Sequence, residues 1–243
     1  MTDDFDAILG EFDDELDLTL YADAAELAEE VTVQILAAVE KGLKVKSQFH
    51  LVLTGGTLGV QISEALVNEC NADLDAFKGL HIWWSDERFV PVDSVERNAF
   101  PWHGTVKNRN VIVHEVLASD VARTLEEAVS DYELALENVD LDLNILGLGP
   151  DGHVASLFPG QTNVDDQRTI IAIKDSPKPP AERVTFTMQM INRAQEVWIV
   201  AAGEGKAEAV TKIIEGDLSV PASYVRGSSH TRLIVDTEAF FSE

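Results

Sequence analysis

A single cysteine, Cys70, occurs in the 243 residues, so no internal disulfide can staple the fold. That fits a reducing compartment better than an extracellular one, and the expectation is a cytoplasmic protein. No apolar run reaches the roughly 18 residues that a spanning helix needs, so no membrane partner is expected. Positive charge is scarce: 18 Lys and Arg stand against 43 Asp and Glu, a formal balance of −25, and none of the cations precedes Lys41. A general nucleic-acid binder needs a basic field to displace counterions, so no nucleic-acid partner is expected either. The first segment, residues 1–15, is acidic where a secretory signal would be basic. Fifteen glycines and eight prolines are ordinary numbers and exclude collagen-like and low-complexity chains. The charge balance has a further consequence. An anionic ligand would be repelled at long range, so any phosphate site must be built from a local cluster of cations.

What is present is an alternation of short β-rich runs with longer helical patterns. Residues 16–21 (LDLTLY), 48–54, 81–86, 110–116 and 141–149 read as strands, as do RVTF, EVWIVAAG and TRLIVD nearer the C-terminus. Helical spacing covers residues 23–41, with Leu27, Val31, Ile35 and Val39 four apart, and also 57–70, 119–137 and 204–215. The stretch from 149 to about 180 reads as a loop. This order predicts an α/β fold of Rossmann-like character: one domain, residues 16–243, with a largely parallel sheet covered by helices on both faces. Ligands of such sheets bind beyond the carboxyl ends of the strands, so the residues just after each strand are the ones to inspect.

Two glycine-rich strand ends stand out. Gly55, Gly56 and Thr57 lie between a strand and a helix, where backbone N–H groups and the positive helix end suit an anion. Residues 147–153, Gly-Leu-Gly-Pro-Asp-Gly-His, formally match a dinucleotide fingerprint. Pro159-Gly160 nevertheless cuts off the helix that fingerprint requires, and Asp165 and Asp166 stand in a polar loop rather than at a strand end. The segment instead delivers His153 on a glycine hinge two residues after Asp151. A histidine can take and return a proton near neutrality, and a neighbouring carboxylate fixes its tautomer. The bland alternative is that His153 caps a short helix. The other histidines lack partners at metal-ligand spacing, there is no P-loop, and no G-x-S-x-G elbow occurs. Arg88 follows the strand at 81–86, Arg183 follows the proline-rich turn 177–180 and Lys206 lies near the start of a helix; together with the glycine turn they would form a phosphate cradle.

These residues carry a resemblance. Thr54-Gly55-Gly56-Thr57, residues 85–91 (SDERFVP), residues 147–160 (GLGPDGHVASLFPG) and residues 177–185 (PKPPAERVT) resemble the motifs of 6-phosphogluconolactonases, in family order from about residue 15 onward. The resemblance implies an α/β fold shared with glucosamine-6-phosphate deaminases. It implies hydrolysis of 6-phospho-D-glucono-1,5-lactone to 6-phospho-D-gluconate, the second step of the oxidative pentose phosphate pathway, with no metal and no cofactor. Carried over by motif, His153 would be the general base and Asp151 its orienting carboxylate. Gly55, Gly56, Thr57, Asp86, Arg88, Arg183 and Lys206 would line the substrate and phosphate pocket. Two positions depart from the family: Arg97 precedes Asn98 where a serine is usual, and Val154 replaces a threonine. Two other readings stay open, an amino-sugar-phosphate deaminase using Asp86 and His153, and a non-catalytic sugar-phosphate sensor.

Overall fold

The computed structural model describes residues 16–161 and 166–241. The acidic segment 1–15 and Asp165 lie outside the described residues. Strand β1 (Leu16–Tyr21) leads into helix α1 (Ala24–Leu43). Asp23 caps that helix, its carboxylate accepting from the N–H groups of Ala25 and Glu26, while Glu26 reaches back to the N–H of Ala22. The four-residue spacing of Leu27, Val31, Ile35 and Val39 places all four in the core, none more than 1% exposed.

The chain then runs through β2 (Phe49–Leu53), α2 (Gly56–Ala72), β3 (Leu80–Trp84), β4 (Asp86–Arg88), β5 (Val111–Val113), α3 (Leu125–Ala135) and β6 (Leu143–Gly147). It continues with β7 (Ile170–Ile173), β8 (Arg183–Phe186), a short helix α4 (Met188–Ile191) and β9 (Glu196–Ala201). It closes with α5 (Ala207–Ile214), β10 (His230–Asp236) and α6 (Thr237–Phe240). Seven strands form one parallel sheet in the order β1-β10-β9-β6-β2-β3-β5. The near-continuous apolar sequences of the inner strands β2, β3, β6 and β9 match burial on both faces.

Three sequence expectations are corrected. The strand expected over 81–86 ends at Trp84, and Asp86–Arg88 turns out of the large sheet into a second one, antiparallel, in the order β4-β8-β7. RVTF therefore belongs to this small sheet, and β7 lies inside the stretch expected to be loop. The helix expected over 119–137 starts only at Leu125, where the Thr124 hydroxyl accepts from the N–H of Glu127. Tyr132 fixes that helix to the sheet, its hydroxyl donating to the carbonyl of Trp84 and accepting from the same residue's N–H.

From β2 the chain moves outward through β3 to β5, whereas β6 is followed in the sheet by β9 and β10 on the other side. The order thus reverses between β2 and β6. A crevice at the carboxyl ends of those two strands follows from that reversal.

Candidate active site

Both glycine-rich turns open at this crevice. Thr54 and Gly55 join β2 to α2, and residues 148–153 leave β6. The N–H of Gly147 donates to Thr54 Oγ1 at 3.1 Å, which ties the two strand ends together. The small sheet supplies the opposite wall, because Arg88 on β4 pairs in register with Arg183 on β8. A pocket of about 280 Å³ lies between them. Of the residues proposed from sequence, Gly55, Gly56, Thr57, Asp86, Arg88, His153, Arg183 and Lys206 line it. Asp151 stands behind His153.

No helix follows His153, since residues 154–157 form a bridged turn, so the residue caps none. Its ring Nδ1 lies 2.5 Å from Asp151 Oδ1. A carboxylate only accepts, so the proton of the neutral ring sits on Nδ1 and the Nε2 lone pair stays available. Phe158 packs against the imidazole with centroids 4.7 Å apart. Gly149 makes this approach possible: a Cβ there would come within 1.8 Å of His153 Nδ1 and 2.6 Å of Asp151 Oδ1. Ala155, in the same loop, holds a φ of 49°, a left-handed conformation that costs a non-glycine residue of order 1 kcal/mol or more. Val154, one of the two departures, is fully buried. It fills core beneath the loop and offers nothing to a ligand.

Electrostatics set the protonation states. Burial lowers the pKa of His153 below the ordinary 6.5; the Asp151 bond and charge oppose this, and the Lys178 ammonium adds to it. Burial by itself would raise Asp151, but the His153 hydrogen bond and charge outweigh it and hold the carboxyl at about 2. The dyad is therefore a neutral imidazole on an ionised carboxylate at neutral pH.

Lys178 was not singled out as a site residue from sequence. Its Nζ lies 3.3 Å from Asp151 Oδ1 and 3.2 Å from His153 Nδ1. The only sequence signal was its place in the proline-rich turn 177–180. Because its charge depresses the imidazole pKa, Lys178→Met is expected to raise that pKa. The acid limb of kcat/KM should then move to higher pH, so the variant loses activity near pH 6 before the parent does. A pH profile of both proteins checks this, and a limb that stays in place argues against the assigned contact.

Arg183 is only 4% exposed, and most of its N–H groups are committed. Nε donates to the carbonyl of Pro180, Nη2 to those of Lys178 and Pro179, and Nη1 approaches Ser156 Oγ at 3.4 Å. The guanidinium thus holds the turn that presents Lys178, leaving a single Nη1 hydrogen toward Asp86. Asp86 is also occupied: Oδ1 accepts from Asn98 Nδ2 at 2.9 Å and Oδ2 from Ser156 Oγ at 2.7 Å. Lys206 Nζ donates to the carbonyl of Leu148 at 2.7 Å and keeps two N–H groups. Burial, and then the nearby Lys178 charge, lower its pKa.

A larger cleft of about 540 Å³ adjoins this pocket and shares Gly55, Gly56, Thr57, Gly147, Leu148 and Lys206 with it. Two of its carboxylates, Asp23 and Asp236, cap helices. The proton-transfer groups belong to the smaller pocket. Apart from the pocket, Trp83 stacks on His114 at 3.7 Å and donates to His50 Nδ1 at 3.1 Å, and His81 Nδ1 lies 2.9 Å from His114 Nε2. Burial brings His114 down to about 4. Among the described residues no group of three or more His, Cys, Asp or Glu side chains is placed to hold a metal ion, and no helix is long and apolar enough to cross a membrane.

The sequence signature of the glucosamine-6-phosphate isomerases/6-phosphogluconolactonase family matches residues 22–235. The chain belongs to that family. Curated 6-phosphogluconolactonases of Mycobacterium tuberculosis and Streptomyces coelicolor are 33% and 34% identical to it. Each alignment covers 91% of this chain, with 96% and 92% of the respective relative. The crystal structure of 6-phosphogluconolactonase from Thermotoga maritima superposes with a TM-score of 0.77 at 28% identity, over 92% of this chain and all of that one. A monomeric glucosamine-6-phosphate deaminase, 21% identical, superposes at 0.74 and shares the fold. Both branches of the family thus use this architecture, and the site residues must separate them.

Proposed function

We propose that the protein is a 6-phosphogluconolactonase, hydrolysing 6-phospho-D-glucono-1,5-lactone to 6-phospho-D-gluconate in the cytoplasmic oxidative pentose phosphate pathway, with residues 16–243 as the catalytic unit. The observation that carries this reading is the His153–Asp151 dyad facing a pocket that gathers Arg88, Lys178, Arg183 and Lys206 in a chain of net charge −25. A lactone is an activated ester, so an oriented water, a base and stabilisation of the developing oxyanion suffice. His153 Nε2 takes the proton of the water that attacks C1, while Asp151 holds Nδ1–H and stabilises the imidazolium. Collapse of the tetrahedral intermediate breaks the bond to the ring oxygen, and His153 returns its proton to that oxygen. No covalent nucleophile, metal or organic cofactor enters this scheme, and no nucleic-acid partner is part of it.

The phosphate rests against the α2 N-terminus at Gly55, Gly56 and Thr57, with Arg88 and Lys206, each anchored on a backbone carbonyl, as its cations and Arg183 supporting the turn beside them. A deaminase would place its base at Asp86, whose two oxygens here accept from Asn98 and Ser156 and so hold those side chains at the pocket wall. The test is hydrolysis of freshly generated 6-phosphogluconolactone, coupled to the dehydrogenase that consumes its product, with and without chelator. Rapid chelator-insensitive hydrolysis supports the assignment. A rate no higher than the spontaneous one rejects it, and glucosamine 6-phosphate deamination is then the next assay.

A further inference from the structure

Glu87 lies between two pocket residues, Asp86 and Arg88, yet it points away from the pocket and is 1% exposed. Three backbone N–H groups converge on its carboxylate. Oε1 accepts from Arg88 at 2.8 Å and from Asn98 at 2.7 Å, and Oε2 accepts from Ala99 at 3.0 Å. The Arg97 guanidinium, its side chain 2% exposed, faces Oε2 at 3.5 Å. Arg97 also reaches Glu115 Oε2 at 3.2 Å and donates to the carbonyl of Val116 at 2.6 Å. Burial raises the pKa of Glu87, and the Arg97 charge with the three N–H bonds opposes that.

The loop gripped in this way carries Asn98 to the pocket. The Asn98 side chain is itself oriented, because Nδ2 donates to both the carbonyl and the carboxylate of Asp86. Two acceptors on that side fix which amide atom is nitrogen, so Oδ1 must face Gly55. It lies within 1.8 Å of where a Gly55 Cβ would stand, and it is buried without a hydrogen-bond partner. Consecutive residues of β4 therefore divide the work: Asp86 holds the Asn98 side chain, Glu87 its backbone, and Arg88 enters the pocket directly.

We propose that the buried Glu87–Arg97 pair is a positioning device for substrate binding, setting where the loop 97–99 places Asn98 and where β4 releases Arg88. Such a pair gains little net stability, since desolvation of both charges offsets their attraction. Its return is geometric, fixing the carboxylate that fixes three N–H groups. It also gives Arg97 a role at a position where the family resemblance implies serine: its guanidinium is the cation that directly faces the buried Glu87 carboxylate. The dyad hangs on a different loop, after β6, so the pair acts on substrate holding and leaves proton transfer alone.

This inference rests on the pocket as the 6-phosphogluconolactone site, and the experiment separates the two. Arg97→Met keeps the bulk and removes the charge. It is expected to raise KM about tenfold, the equivalent of ~1.4 kcal/mol, with kcat within about twofold. Binding of 6-phosphogluconate, read by calorimetry, should weaken by the same factor. Arg97→Lys should recover most of the loss. A purely structural role would lower the folded fraction, reducing kcat per milligram at unchanged KM, and that result overturns the proposal. Should Arg97→Met not fold, Glu115→Gln loosens the outer end of the guanidinium at a partly exposed residue and should raise KM in the same direction. Amide resonances of Arg88, Asn98 and Ala99 provide a reading independent of activity. Their shift in the variants, with Asp151 and His153 unmoved, supports the device even if the wild type proves inactive on the lactone. Unmoved resonances refute it.

Discussion

Replacing His153 by alanine is expected to lower kcat by ~10²- to 10⁴-fold, the usual worth of general-base assistance, while KM changes little. The split follows from where the ring does its work. On the proposed mechanism Nε2 meets only a water in the ground state and contributes little to holding the sugar phosphate, which would fall to the cations and the α2 N-terminus. In the transition state the same nitrogen carries a proton, and the imidazolium is stabilised by the Asp151 carboxylate 2.5 Å from Nδ1. The variant forfeits that stabilisation and keeps the binding contacts. Steady-state rates corrected for spontaneous hydrolysis read the outcome. A kcat within a few-fold of wild type would remove His153 from the base role and direct attention to the remaining pocket groups.

A methyl group at Gly149 should be nearly as damaging, although Gly149 takes no part in proton transfer. Its Cβ would fall 1.8 Å from Nδ1 and 2.0 Å from the ring carbon Cε1 of His153, far inside van der Waals contact. The N–H of Gly149 donates to the carbonyl of His153 at 2.9 Å, so the loop closes on itself and has no slack in which to shift. The ring must rotate away from Asp151. Gly149→Ala is therefore expected to cut kcat by about two orders of magnitude or more, in the range for loss of an acid–base group. Proton NMR gives a second reading: a strongly downfield Nδ1–H resonance in the wild type, absent in the variant. An active variant retaining that resonance would show that the loop accommodates the methyl group after all.

Much of this architecture was legible in the chain. LDLTLY is a strand from end to end as expected, and α1 departs from its expected limits by one or two residues, because periodicity and the Asp23 cap are local signals. The turns at Gly55-Gly56 and Gly147–His153 are legible for the same reason, each a glycine-rich break after an apolar strand, and both border the pocket. What escaped notice depends on contacts between distant segments. Asp86–Arg88 is too short to announce a strand, and only its pairing with Arg183–Phe186, almost a hundred residues later, makes it one. Arg183 read as one more cation after a proline turn. Its commitment to the carbonyls of residues 178–180 appears only when the turn is folded back over it, and with it the placement of Lys178. The departure at Arg97 is visible in the sequence, but its burial against Glu87 is not, because the two residues meet only in the folded chain.

The concentration of cations at one point of an acidic molecule shapes how a ligand arrives. Beyond a Debye length, about 8 Å at physiological ionic strength, the surface presents a repulsive potential to a phosphate dianion. Within the pocket the sign reverses. Long-range steering, which speeds the encounter of many enzymes with charged substrates, is here set against capture, and attraction begins only once the ligand is already at the mouth. Dissolved salt would flatten the outer barrier more than the inner well, since Arg88, Lys178 and Lys206 are half-buried and Arg183 is buried. Ionic strength therefore acts on this molecule chiefly as a regulator of the association rate.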